Sequence, residues 1–374
     1  MSAEALPEYD RAPGAPHPRE TLQLYGQHRA EAAFLEAYNS GRMHHGWLVT
    51  GPKGVGKATL AWRIARFLLT QPPPGDAGLF GAPPAPANLD APVDHPVTRR
   101  MASLSEPGLF LLRTVWDEEK KRFKQGITVD EARKLKGFFQ LSATDGGRRV
   151  VIVDAADEMN PNAANALLKL LEEPPANAVL LLIAHQPNRL LPTIRSRCRE
   201  LRCSSLPAPD LDAALSAAGL SAGDDPTALA ELAGGSVGQA IRLIEHDGVK
   251  TYGALITLFS GLPNVDRQQA LAIAESFGAR GQGEKFALLL DLIDLFLARV
   301  ARAGVVGATQ STFPNEAKLF QRLATDPWRA RLWAELQQEL GQRARRGNAV
   351  NLDPSALILD IVLRINQAAA NMAA

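Results

Sequence analysis

Cysteine is almost absent from this chain. Cys198 and Cys203 are the only two among 374 residues, too few for a disulfide framework or a four-cysteine zinc site, and such scarcity fits a reducing compartment. They read as small buried hydrophobes or inert thiols. No run approaches the roughly 18 to 20 apolar residues of a membrane span. Met1 to Glu20 also lacks the apolar core of a signal peptide, so a cytoplasmic protein with no membrane partner is expected. An excess of one charge is missing as well: 41 basic residues face 40 acidic ones, a formal +1. Any contact with nucleic acid must therefore be local or made through partners. What remains is 46% hydrophobic and 22% charged, an ordinary globular composition long enough for two or three domains.

The most telling absence is one hydroxyl. Residues 51 to 57 read Gly51-Pro52-Lys53-Gly54-Val55-Gly56-Lys57, the G-x-x-x-x-G-K of a phosphate-binding loop. That motif continues with Ser or Thr, whose oxygen ligates the Mg²⁺ of a bound nucleotide. Position 58 is Ala58, which cannot coordinate metal, and Thr59 lies about 100° further round the helix. Trp47 to Thr50 reads as a buried strand entering the loop and Ala58 to Leu69 as a helix leaving it. That context favours a phosphate loop over a chance Gly-rich turn. Gly51, Gly54 and Gly56 free backbone N–H groups to face phosphate, and Lys57 is placed to reach the β/γ oxygens. ATP binding is expected to remain possible, with Mg²⁺ doubtful and hydrolysis lost.

The pattern elsewhere predicts an α/β fold. Residues 1–20, with Pro7, Pro13, Pro16 and Pro18, read as a disordered or extended arm, and Thr21 to Ser40 as a helix. Residues 71–96 are Pro/Gly/Ala-rich and read as an insertion loop. Strands at Leu109–Thr114, Arg149–Asp154 and Ala178–Ala184 alternate with helices at Ile127–Gln140 and Asn160–Leu171, the signature of a parallel sheet. Beyond Cys203, Pro207 and Pro209 open a linker and the remainder reads as Ala- and Leu-rich helices. One of these, Phe286 to Val300, sets Leu289, Ile293, Phe296 and Val300 at helical spacing.

Asp154 ends an apolar run where a parallel strand would present it to a bound nucleotide. The next residue is Ala155, and Asp157 and Glu158 follow three and four positions on; a plain cap is the competing reading of Asp154. Arg195, Arg197, Arg199 and Arg202 form a cluster that spacing alone reads as a solvated face. A finger reaching into a neighbour's phosphate site is the alternative. His44-His45 is read as packing or hydrogen bonding.

Four stretches carry a family resemblance. They are Gly41-Arg42-Met43-His44-His45-Gly46-Trp47-Leu48-Val49-Thr50-Gly51-Pro52, Val151 to Asp157 with Met159-Asn160, Ala163-Ala164-Asn165-Ala166-Leu167-Leu168-Lys169-Leu170-Leu171-Glu172-Glu173-Pro174-Pro175, and Ser196-Arg197-Cys198. Over residues 21 to 205 the chain resembles the delta-prime subunits of the bacterial DNA polymerase III clamp loader, of the AAA+ superfamily. The resemblance implies an AAA+ α/β domain at 21–205, a helical lid at 206–246 and an all-α collar at 247–374 that joins subunits. It implies tau/gamma motor subunits and a delta subunit as partners, with the sliding clamp and primed DNA reached through the complex. It also makes Arg197 a trans-acting arginine finger.

Three departures from the motor pattern stand together: Ala58, Ala155, and Gly238 where motors carry an arginine in Gly-Ser-x-Arg. The four-cysteine zinc module of many relatives is missing between 71 and 112, so no zinc is expected. The main reading is a hydrolysis-deficient assembly subunit. An active clamp-loader motor using Lys57 and Asp154, with Thr59 in place of the missing hydroxyl, is the alternative. A direct nucleic-acid-binding module, with Arg343, Arg345 and Arg346 as its patch, comes third.

Overall fold

The chain's most apolar segments set the architecture. In the computed structural model, which describes residues 7–72, 84–140, 147–278, 282–307, 313–349 and 352–373, these segments are strands buried at every position. Strand β1 (Gly46–Thr50) follows helix α1 (His28–Asn39) and leads into α2 (Lys57–Thr70). After α3 (Pro96–Ala102) come β2 (Leu109–Arg113) and a small antiparallel ribbon of β3 (Trp116–Asp117) and β4 (Arg122–Phe123). Then follow α4 (Val129–Gln140), β5 (Arg149–Asp154), α5 (Pro161–Glu172), β6 (Ala178–Ala184), α6 (Pro192–Arg195) and β7 (Arg199–Arg202).

The main sheet is parallel throughout, in the order β2-β5-β6-β1-β7. Fully buried parallel strands need cover on both faces. Leu48, Val151, Val153, Leu180 and Leu182 pack on one face with Ala132 and Leu135 of α4 and Leu167 and Leu171 of α5. Trp47, alternate to Leu48, meets Phe34 of α1 with ring centroids 4.9 Å apart. Helix α5 starts where the sequence directs it: the Asn160 side chain accepts from the Ala163 N–H at 2.8 Å, and Pro161 occupies the first turn.

The expected α/β sheet is present, with three differences at its margins. Residues 7–20, expected as a disordered or extended arm, form an irregular segment packed onto the domain, while residues 1–6 lie outside the described residues. Arg113 of β2 pairs with Asp10, Arg66 donates to the Arg19 carbonyl at 2.7 Å, and His17 is fully buried. The helix expected from Thr21 begins only at His28, because Gly26 takes a left-handed φ of 70°. Of the insertion expected at 71–96, residues 73–83 lie outside the described residues, and its end, Pro96, opens α3, which periodicity did not reveal.

Past β7 the described residues are helical: α7 (Ala208–Ala217), α8 (Pro226–Ala233), α9 (Val237–Glu245), α10 (Gly248–Ser260), α11 (Arg267–Gly278), α12 (Gly283–Val306), α13 (Glu316–Leu323), α14 (Pro327–Ala349) and α15 (Pro354–Ala373). The chain divides into two compact units, one of residues 1–221 with 234–239 and the other of 222–233 with 240–374. In the second unit, the expected stripe Leu289, Ile293, Phe296 and Val300 of α12 is buried. A charge network lies among these helices. Glu316, fully buried, accepts from the Tyr252 hydroxyl and lies 2.9 Å from Arg299 Nη2, which also pairs with Glu231.

Removing one member of such a network leaves a buried charge short of its counterion. Arg299→Met is expected to destabilise the chain by about 3 kcal/mol in urea unfolding, and adding Glu316→Gln to recover part of that loss. Equal stability of Arg299→Met and the wild type would show that the network contributes nothing net.

Candidate functional site

The phosphate loop joins β1 to α2 at the carboxyl edge of the sheet. Its glycines are required by crowding as well as by dihedral angle. At Gly54, with φ 79°, an added Cβ would lie 2.2 Å from Ser236 Oγ, and at Gly51 one would lie 2.3 Å from the Cys203 carbonyl oxygen. Helix α2 begins after Gly56 with no side-chain cap, so its first N–H groups face the loop as an anion site would require.

Lys57 is 3% exposed, and its amino group donates to the carbonyls of Gly51, at 2.7 Å, and Pro52. Burial lowers its pKa to about 8, against the raising pull of Cys203, Asp154 and Asp157. The lysine that would hold phosphate is thus turned onto its own loop. Ala58 and Thr59 follow, both half-buried.

Asp154 closes β5 and is 7% exposed. Burial first, then the negative charges of Asp10 and Glu158, raise its pKa to about 7, with Lys57 and Arg113 opposing. Neighbouring Ala155 is buried and offers no polar group. The next two carboxylates are engaged in holding backbone and arm. Asp157 accepts from the N–H groups of His185 and Gln186, at 3.1 and 2.9 Å, tying the exit of β5 to that of β6. Glu158 accepts from the Tyr9 hydroxyl at 2.9 Å and from Thr114 at 3.3 Å.

Residues 235–238 lie directly on the loop. Ser236 Oγ donates to the Lys53 carbonyl at 2.9 Å, and the Gly238 N–H donates to the Gly54 carbonyl at 3.3 Å. Gly238 therefore contributes its backbone to the loop.

Two residues here gave no signal in the sequence reading. Gln27, 2% exposed, bonds the Val55 and Ser204 carbonyls at 3.0 and 2.8 Å and accepts from the Ser204 N–H at 3.0 Å, stitching the loop to the chain leaving β7. His185 stands past the end of β6, where burial and the positive charge of Lys57 lower its pKa to about 4. Neither belongs to a motif. A polar residue following an apolar strand was the only available hint of His185.

The structure also separates the four clustered arginines. Arg199 and Arg202 lie on β7, with Arg199 over the Trp47 ring at 5.4 Å, and Arg195 donates to Asn188. Arg197 occupies the turn between α6 and β7, more than a third exposed, with Nη2 2.9 Å from Glu172 and Nη1 donating to the Thr193 carbonyl at 3.0 Å. Beside this turn opens a cavity of about 510 Å³ lined by Leu48, Pro187, Asn188, Pro192, Arg195, Ser196, Cys198 and Glu200.

Burial raises the thiols of Cys198 and Cys203 to about 12 and 11, which leaves them protonated and unreactive at neutral pH. His44 and His45 stack at 4.5 Å and bond to backbone. In the arginine patch of α14, Arg343 is paired with Asp360.

Strand, glycine loop and uncapped helix start, with an aspartate ending a strand of the same parallel sheet, define a P-loop α/β fold. The family model described as DNA polymerase III, delta subunit, matches residues 26–207. The DNA polymerase III subunit delta' of Pseudomonas aeruginosa is 38% identical over 241 residues, 63% of this chain and just under two thirds (66%) of that protein. Its counterpart in Escherichia coli is 29% identical over 332 residues, 88% of this chain and 91% of that protein. Among solved structures, a gamma subunit-related protein of Thermotoga maritima covers 90% of this chain and 99% of its own at 18% identity, with a TM-score of 0.37. Over residues 26–207 the chain matches the DNA polymerase III delta subunit family, and along more of its length it is similar to the delta-prime subunits of that polymerase.

The raised pKa of Asp154 has a stability consequence. Between its ordinary value of 3.8 and about 7 the folded chain holds a proton that the unfolded chain releases, so stability falls as pH rises through that window. Asp154→Asn is therefore expected to stabilise the chain by about 1–3 kcal/mol at pH 8 and to have little effect at pH 4. Urea midpoints at the two pH values test this; an equal gain at both would rule out ionisation as the cause.

Proposed function

We propose that this chain is the hydrolysis-deficient member of a clamp-loader complex. In this reading it assists ATP-driven loading of the sliding clamp onto primed DNA and lends Arg197 to the ATP site of a neighbouring motor subunit. The observation that carries the reading is the state of the phosphate loop: alanine stands where the magnesium hydroxyl belongs, and the loop's lysine is satisfied by Gly51 and Pro52. A loop so arranged has a cradle but no metal ligand, so its own turnover is negligible.

The chemistry is moved to the other face of the domain. A guanidinium is always charged and presents a rigid fork of donors matched to phosphate oxygens, and Arg197 sits on a tight exposed turn. Its partners in this reading are the tau/gamma and delta subunits, with the clamp and primed DNA met through the complex. The lid at 206–246 and collar at 247–374 supply the assembly surface, and the compartment is the cytoplasm. No helix among the described residues is long and apolar enough to cross a membrane.

The kept glycines and Lys57 favour a second, narrower reading in which the loop binds ATP without hydrolysing it. An active motor would have to supply metal and water ligands that Ala58 and Ala155 lack. Zinc has no place in either reading.

Two measurements test the proposal. The isolated chain is expected to show no Mg²⁺-dependent ATP turnover sensitive to Lys57→Ala. In a reconstituted loader, Arg197→Ala is expected to lower clamp- and primed-DNA-stimulated turnover by about a hundredfold or more at the one motor site it serves, with assembly intact. Unchanged turnover would make this arginine a solvated surface group and the chain a scaffold.

A further inference from the structure

Helix α5 ends in Leu170-Leu171-Glu172, followed by Glu173-Pro174-Pro175. The final turn of a helix carries the negative end of its dipole and favours cations. Glu172 is a carboxylate there, a placement that helix stability does not select. Its carboxylate faces Arg197 Nη2 at 2.9 Å, and both side chains remain more than a third exposed. Ion pairs of this exposure add little to stability. The contact therefore needs a reason other than holding the fold.

The backbone beneath Arg197 is already rigid. A Cβ on Gly46, the first residue of β1, would lie 2.9 Å from Leu171 Cδ2 and 3.1 Å from the Arg197 carbonyl oxygen. His45 bonds the Leu171 carbonyl at 3.0 Å, and the Arg197 N–H donates to the Ile194 carbonyl at 3.1 Å. The start of β1, the end of α5 and the Ser196–Cys198 turn thus form one packed corner. What stays loose is the long side chain, which must reach the same place at each encounter. Two contacts fix it: the Glu172 carboxylate on Nη2 and the Thr193 carbonyl on Nη1. A guanidinium has five N–H donors, so two single contacts leave three to meet phosphate.

Resting on the finger reading above, we infer that Glu172 is a positioning residue for Arg197. It holds the guanidinium in one orientation at the end of α5, so that the neighbour's γ-phosphate meets a pre-aimed fork. It touches neither nucleotide nor metal, and its effect passes entirely through Arg197. A carboxamide keeps an acceptor oxygen at the same place and retains most of the effect, whereas a methyl group does not.

The test is steady-state ATPase of the reconstituted full complex with clamp and primed DNA. Glu172→Ala is expected to lower kcat roughly three- to tenfold at unchanged KM and unchanged assembly. Glu172→Gln is expected to stay within about twofold of the wild type. In the Arg197→Ala background, Glu172→Ala is expected to cost nothing further, because residues acting as a unit are not additive.

An unchanged kcat for Glu172→Ala, in a complex that Arg197→Ala does impair, overturns the positioning role and leaves the finger standing. Losses that multiply in the double variant, or a fall that tracks KM or assembly, overturn it in the same way. If Arg197→Ala is itself without effect, both readings fall together.

Discussion

Exclusion of water from the carboxyl edge of the parallel sheet governs the behaviour of this domain. Strands β1, β5 and β6 are buried at every position, so polar groups concentrate where these strands end. Lys57, Asp154 and His185 meet at that edge, and burial displaces all three from their ordinary titration. In active P-loop enzymes a nucleotide and its metal ordinarily balance such charges. Here loop carbonyls accept from Lys57, and Arg113 pairs with Asp10 nearby.

Ala58 and Ala155 bring no side-chain oxygen to this edge, and Gly238 sets its backbone N–H against the Gly54 carbonyl. On the far side of the domain, β1, α5 and the Ser196–Cys198 turn give Arg197 a firm base. The two faces are built on the same strand, β1, whose last residue leads into the loop and whose first supports the arginine.

How much of this was legible in sequence follows from the kind of signal each part leaves. Val150 to Val153 and Val179 to Ile183 are unbroken apolar runs, and runs of that length announce buried parallel strands. Strand β7 escaped notice because Arg-Glu-Leu-Arg has a single buried residue, Leu201, as suits an edge strand. The 7–20 segment was misjudged for a related reason. It docks by polar residues, with Glu8, Asp10, His17 and Arg19 pairing among themselves and with Arg113, and the same residues in isolation resemble a solvated tail. Gln27 carries no periodic or motif signal at all, since its role rests on partners far away in the chain. Arg197 stood out from its three neighbouring arginines only through the Ser-Arg-Cys triplet and its family resemblance, and its pairing with Glu172 leaves no trace in the sequence.

Those distant partners impose an order on folding during synthesis. Gln27 waits for Ser204, 177 residues later, Lys53 for Ser236, 183 later, and Tyr9 for Glu158, 149 later. A ribosome releases residues one at a time from the N-terminus, and non-local contacts form late because loop closure must precede them. The phosphate loop leaves the tunnel early with Gln27 already made, but acquires Ser236 and Gly238 only after nearly two hundred further residues. During that interval the nascent loop lacks Ser236 and Gly238 against its carbonyls, and its shape is completed by the segment translated last among its contacts.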